Sequence, residues 1–177
     1  APSNAEEYIA MLDWALDQDK HPVYIAIPSG PVAHAEGPVR TNFDDLNTYE
    51  VTREGSTVAV LALGDFYDLG EKTIEALSST LGIEATLVKP YFASGVDQNL
   101  LDNLVKDHDV IVTIEDGIIE GGWGQNIASY LGTSPARVLN YGVKKAFYDR
   151  VNIAELMRES HLDPELIAAD IKQVLGL

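Results

Sequence analysis

An α/β fold built from repeated βαβ units is what this sequence predicts, on three observations. Uninterrupted apolar runs recur at VAVLAL from Val58, ATLV from Ala85, VIVTI from Val110 and VLNY from Val138. Their starts lie 27, 25 and 28 residues apart, a gap that fits one crossover helix. The runs lack polar alternation, as strands covered on both faces require.

The first thirty residues stand outside that repeat. Ser3 and Glu6 have capping-box spacing ahead of a helix with Tyr8, Met11, Leu12, Ala15 and Leu16 on its apolar face, and after Lys20 and Pro22 the run VYIAI reads as a strand. One helix and one strand cannot bury their apolar faces unaided. Residues 1–30 therefore read as the tail of a different domain, 31–56 as a linker with an edge strand, and 57–177 as the repeating domain. The linker is rich in Pro, Gly, Asp and Asn. YEVT and VAVL flank REGS, so a hairpin at Glu54–Gly55 is expected to add an antiparallel strand.

Within the repeat, Ile74, Leu77 and Leu81 form one helical stripe, and Leu100, Leu101, Leu104 and Val105 form the next. A third helix holds Ile127 and Leu131 and stops at Gly132. Asn152 with Glu155 and Asp163 with Pro164 mark two more helix starts, the last burying Ile167, Ile171, Val174 and Leu175.

Composition excludes several classes of function. Twelve Lys and Arg against 28 Asp and Glu give a net charge of −16, which repels nucleic-acid phosphates. No apolar run approaches the roughly 20 residues of a membrane-spanning helix. Cys is absent, which removes disulfides, thiolate metal sites and a cysteine nucleophile. The start APSNAEEY lacks signal-peptide character and an initial Met, so a fragment with a cytoplasmic home is the expectation.

Candidate ligand contacts fall at predicted strand ends, where open α/β sheets gather ligands. EDGIIEGGWGQNIASYL, from Glu115, places Gly121, Gly122 and Gly124 before a helix, a pattern that holds an anion or simply permits a tight turn. It is not a dinucleotide fingerprint, because the third glycine is Ile127. Glu115 and Asp116 point to opposite faces of a strand and suit capping better than a shared proton. Gly64 and Asp65 end the first long strand, and Ser29 and Gly30 follow VYIAI without a nucleophile elbow. His21, His34, His108 and His161 lack metal-ligand spacing and read as surface or capping residues. Trp14 suits the core, and Trp123 a pocket wall.

Several of these stretches together resemble a known family. PVYIAIPSG, VAVLALG, Gly82 through Leu131, and VLNYG followed by LDPELIAADIKQVL are similar, in order and spacing, to the carboxyl-terminal part of the transketolase family in its 1-deoxy-D-xylulose-5-phosphate synthase branch. VTIEDGIIEGGWG, from Val112 to Gly124, is the most specific stretch. The resemblance implies a three-layer α/β/α domain with a mostly parallel five-stranded sheet, after a helix-strand remnant of the pyrimidine-binding domain. It implies a full-length transferase, homodimeric, that uses thiamine diphosphate and Mg2+ to join pyruvate to glyceraldehyde 3-phosphate. The cofactor and metal groups would lie in the missing amino-terminal domains, since Gly64-Asp65 is followed by Phe66 rather than Gly. This chain would hold no catalytic, cofactor or metal residue, would support the fold and dimer, and would be inactive alone.

Departures from the family pattern bear on substrate. Ala26, Ile27, Pro28, Ser29 and Gly30 stand where Arg-Tyr-Pro-Arg-Gly is usual, so both guanidinium groups suited to phosphate are gone. Ala93, Ser94 and Gly95 replace Val-Lys-Pro, and Lys144, Lys145 and Arg150 replace Pro, Asp and His. Arg40 is a candidate compensating charge. Two alternatives stay open: the same part of another thiamine enzyme with an unphosphorylated substrate, and a stand-alone module binding a small anion.

Overall fold

The computed structural model describes residues 1–28 and 31–177. In chain order the elements are α1 (Ala5–Asp17), β1 (Glu50–Arg53), β2 (Thr57–Ala62), a 3-10 turn (Gly64–Phe66), α2 (Tyr67–Leu81), β3 (Thr86–Lys89), α3 (Gln98–Asp107), β4 (His108–Ile118), α4 (Trp123–Tyr130), β5 (Arg137–Val143), α5 (Ile153–Glu159) and α6 (Pro164–Leu175). The five strands form one sheet in the order β1-β3-β2-β4-β5, parallel except for β1, which runs antiparallel to β3.

Three layers result because successive strand residues face opposite ways and both faces are covered. Val58, Val60, Val110, Val112 and Ile114 pack under α2 and α6, against Ile74, Leu77, Ile167 and Ile171. Ala59, Leu61, Val88 and Ile111 pack on the other side, against Leu101 and Leu104 of α3 and Trp123 and Ile127 of α4. That double cover is why the strand runs carry no polar alternation. The helix starts at Asn152 and Asp163 are capped by those side chains, each accepting two backbone amides.

The expected antiparallel strand forms as β1, but not as a hairpin with β2. The chain crosses the start of β3, where Gly55 N donates to Thr86 Oγ1 and Ser56 N to Glu84 O. A side chain on Gly55 would run into the backbone of Glu84 and Ala85. β1 is thereby delivered to the far side of β3.

Two further expectations are corrected at the amino end. The capping box expected of Ser3 and Glu6 does not form: Asn4 caps α1 by accepting Glu7 N at 2.8 Å, and Glu7 accepts the backbone N–H of Ser3, one residue before the cap. Glu6 instead accepts Ala35 N and contacts His34 Nδ1 across the linker. The expected strand VYIAI is absent: among the described residues it pairs with no strand, and the sheet is built from β1 to β5 alone. Tyr24 is 90% exposed, and Val23 and Ile27 are exposed too. The apolar face of α1 is mostly open: Met11 is buried with Phe43 and Tyr91, while Ile9, Leu12 and Leu16 are exposed.

No helix among the described residues is long and apolar enough to cross a membrane.

Candidate functional site

β2 connects through α2 to a neighbour on one side, and β4 lies on its other side, so their connections part at the carboxyl ends. A crevice opens at such a point because the two loops leave in opposite directions. Here the turn Gly64–Phe66 leaves β2 while β4 continues through Glu115 and Asp116, the two joined by Leu63 N donating to Ile114 O at 2.9 Å. Asp65, Phe66, Asp68, Leu69, Lys72, Asp116 and Met157 are among the residues lining a crevice of about 470 Å³. An adjoining cleft of about 600 Å³ shares Asp65 and Asp68, and is walled by Tyr8, Ile27, Val32 and His34.

The crevice is acidic. Burial pushes the Asp65 carboxyl above its ordinary range, and the charge of Asp116 pushes it further the same way. Lys72, its one lining cation, is already paired with Asp68. Thiamine diphosphate does not fit this donor set: its carboxylates repel a diphosphate, and its one cation, Lys72, is already paired with Asp68. Among the described residues no group of three or more His, Asp or Glu is placed to hold a metal ion.

The glycine-rich start of α4 does hold an anion, but it is the chain's own Glu115. This buried carboxylate accepts Trp123 N at 3.0 Å and Gly124 N at 2.8 Å. Burial raises its pKa, while the two amides pull it down. Close approach explains the glycines: a Cβ on Gly122 would lie 2.6 Å from Glu115 Oε1, and one on Gly124 would run into Thr113 Oγ1. Gly121 N donates to Gln125 Oε1 and Gly122 N to Ile119 O, so both amides are engaged within the chain. Glu115 and its neighbour Asp116 part as their positions on a strand require, Glu115 inward and Asp116 exposed.

Of the remaining candidates, Asp65 lines the crevice, Gly64 is buried at the start of the turn before it and does not line it, and Ser29 and Gly30 lie outside the described residues. Trp123 is not a pocket wall. It is buried, its Nε1 donates to Tyr49 OH at 2.9 Å, and its ring meets Tyr49 edge-on. His108 is buried, not at the surface, and holds the capping position expected of it at the end of α3, bridging Thr86 Oγ1 at 2.7 Å and Leu104 O at 2.8 Å. Arg40 is engaged far along the linker, donating to the carbonyls of Asn42, Asp45 and Thr48 with its guanidinium over Phe43 and Tyr91.

Sequence reasoning missed the pair Glu7 and Lys89, bonded at 2.7 Å in a polar cleft between α1, the linker and α2. The one signal was Glu7 four residues before Met11, on the face of α1 that is buried.

Comparison with known proteins gives a consistent picture. The family model described as "Transketolase, C-terminal domain" matches residues 47–167. The 1-deoxy-D-xylulose-5-phosphate synthase of Pseudoalteromonas translucida is 33% identical over 99% of this chain, and that of Clostridium tetani 27% identical over 99%. The chain spans 28% of the length of each. Among solved structures, one titled as a split gene transketolase, inactive beta4 tetramer, superposes with a TM-score of 0.84 at 24% identity, over 99% of this chain and 56% of the other. A Pichia stipitis transketolase superposes at 0.71 and 17% identity, over 99% of this chain and 24% of the other.

Proposed function

The chain belongs to the family of transketolase C-terminal domains, and from that premise we propose that it is the carboxyl-terminal, scaffolding part of a 1-deoxy-D-xylulose-5-phosphate-synthase-like transferase. The complete enzyme, acting in the cytoplasm as a homodimer, joins pyruvate to glyceraldehyde 3-phosphate with thiamine diphosphate and Mg2+ held by domains upstream. Residues 1–30 close the preceding pyrimidine-binding domain, 31–56 link, and 57–177 form the terminal domain. The carrying observation is similarity to such synthases along 99% of this chain, at 28% of their length. Physical support comes from α1 and residues 22–28, whose apolar side chains Ile9, Leu12, Leu16, Val23 and Ile27 stand uncovered here. A surface of that kind is built to be covered. The acidic crevice supports the same division, since it offers a diphosphate nothing to bind.

The test recombines this chain with the upstream part of the same protein. Association and thiamine-dependent turnover of pyruvate with glyceraldehyde 3-phosphate are expected. Turnover by this chain alone, or no association on recombination, overturns the proposal.

A second reading is favoured by one observation, the neutral Ala26 and Ser29 at the family's two arginine positions. An unphosphorylated acceptor then replaces the phosphorylated one, and turnover of the two aldehydes by the complete protein separates the readings.

A further inference from the structure

We infer that residues 33–48 are not a tether but a strap, which closes α1 onto the sheet domain and, with the Glu7–Lys89 pair as its fastening, fixes how the chain preceding α1 is carried. Composition reads as a linker here, rich in Pro, Gly, Asp and Asn, and among the described residues no helix or strand forms between Asp17 and Glu50. The segment is nevertheless pinned along its length. Ala5 N donates to Ala33 O at 3.0 Å and Ala35 N to Glu6 Oε2 at 2.8 Å, while in the last turn of the helix Trp14 Nε1 donates to Asp44 Oδ1 at 2.9 Å. α1 is thus gripped at both ends by a segment that follows it in the chain.

The strap is braced from within and anchored beyond. Arg40 spans it by donating to the carbonyls of Asn42, Asp45 and Thr48. Phe43, fully buried, meets Trp14 of α1 edge-on at 5.9 Å, and meets Tyr91 and Phe92, which follow β3, at 5.6 Å and 6.2 Å. One ring of the strap therefore bridges helix and sheet domain. At its far end Tyr49 N donates to Asp97 Oδ2 at 2.9 Å, directly before β1 joins the sheet.

The helix depends on this grip. With 13 residues α1 is near the length at which an isolated helix is marginal in water, and its last turn carries no basic residue to favour the helix dipole. Its order comes from docking: the strap holds it, and the Lys89 ammonium meets the buried Glu7 at 2.7 Å. Ile9, Leu12 and Leu16 stay exposed, so the clasp uses one face of α1 and leaves the other for the preceding part of the protein, a consequence that rests on the reading above. That part then moves with the sheet domain and not about a flexible joint.

Hydrogen exchange read by mass spectrometry on the 177-residue chain tests this. The central amides of α1 should exchange about 100-fold or more slower than in the free peptide 1–20. K89M should speed exchange in α1 and around Ala35 of the strap together, by about 10-fold or more and with α6 affected less, since an opened clasp frees both segments at once. D44A should speed it in α1 by about 5-fold. Neither substitution lies in α1, so a change there passes through contact and not through helix propensity. D44A alters only an exposed hydrogen bond, so it reports even where K89M fails to fold. Exchange in α1 equal to that of the free peptide overturns the proposal. So does protection of α1 indifferent to both substitutions, or a rise in α1 of K89M with the strap unchanged. The enzymatic reading is judged separately: rapid exchange in α1 leaves it standing, and failed recombination leaves the clasp standing.

Discussion

Glu7 of α1 and Lys89 at the end of β3, 82 residues apart in sequence, form an ion pair of 2.7 Å whose side chains are 3% and 14% exposed. The ammonium also lies over the Tyr67 ring, and Ser3 N and Oγ donate to the same carboxylate. The pair fastens the amino-terminal helix to the sheet domain. Removing one partner leaves the other charge buried and unpaired. K89M or E7Q should therefore cost about 3 kcal/mol in urea unfolding, and E7M/K89M less than the sum of the two singles.

Asp65 provides the pH test. Its carboxyl is raised by burial, then by Asp116, so in the folded chain it binds its proton more tightly than in the unfolded chain. Ionisation therefore opposes folding, and this group's favourable contribution is complete below the ordinary carboxylate range and lost as pH rises through the folded value. D65N should be more stable than the parent at pH 7, the gain fading as pH falls towards 3. Paired urea titrations at the two pH values check it.

Gly122 and Gly124, at the start of α4, should be intolerant of a side chain. G122A places a methyl 2.5 Å from Ile118 O as well as against Glu115, and neither the backbone nor the capping carboxylate can withdraw. A loss of about 1–3 kcal/mol is expected for G122A, and the same for G124A, read as lowered melting temperatures.

His161 adopts a left-handed backbone, φ 56°, which favours glycine, and its Nδ1 lies 2.7 Å from Asp170 Oδ2. That contact offsets the backbone cost. H161A keeps the cost and loses the contact, so it should destabilise by about 1–2 kcal/mol, whereas H161G should stay nearer the parent. Denaturation midpoints of the two variants give the order.

Leu16 is 75% exposed. L16S should leave the stability of this chain within about 0.5 kcal/mol of the parent yet weaken its association with the upstream part of the protein. Association of L16S equal to that of the parent would count against an upstream partner for the α1 face.

Much of the sheet domain was legible in sequence because its signals are local. VAVLAL, VIVTI and the stripes of α2, α3 and α6 state their own burial through spacing alone, and Asn152 and Asp163 cap the helices they precede. Of the site, the strand-end positions Asp65 and Asp116 were legible, but not that they face one crevice, since they lie 51 positions apart in sequence with all of β3 between them.

By itself, then, the sequence determined the βαβ alternation, the helix starts and the strongly acidic surface, all properties of neighbouring residues or of their sum. Only the tertiary structure decided that Glu115 fills the glycine-rich helix start, that β1 joins β3 instead of turning back on β2, and that Glu7 meets Lys89. Each is a contact between groups far apart along the chain, chosen by which polar atoms burial would otherwise leave unpaired, and no local pattern records that choice.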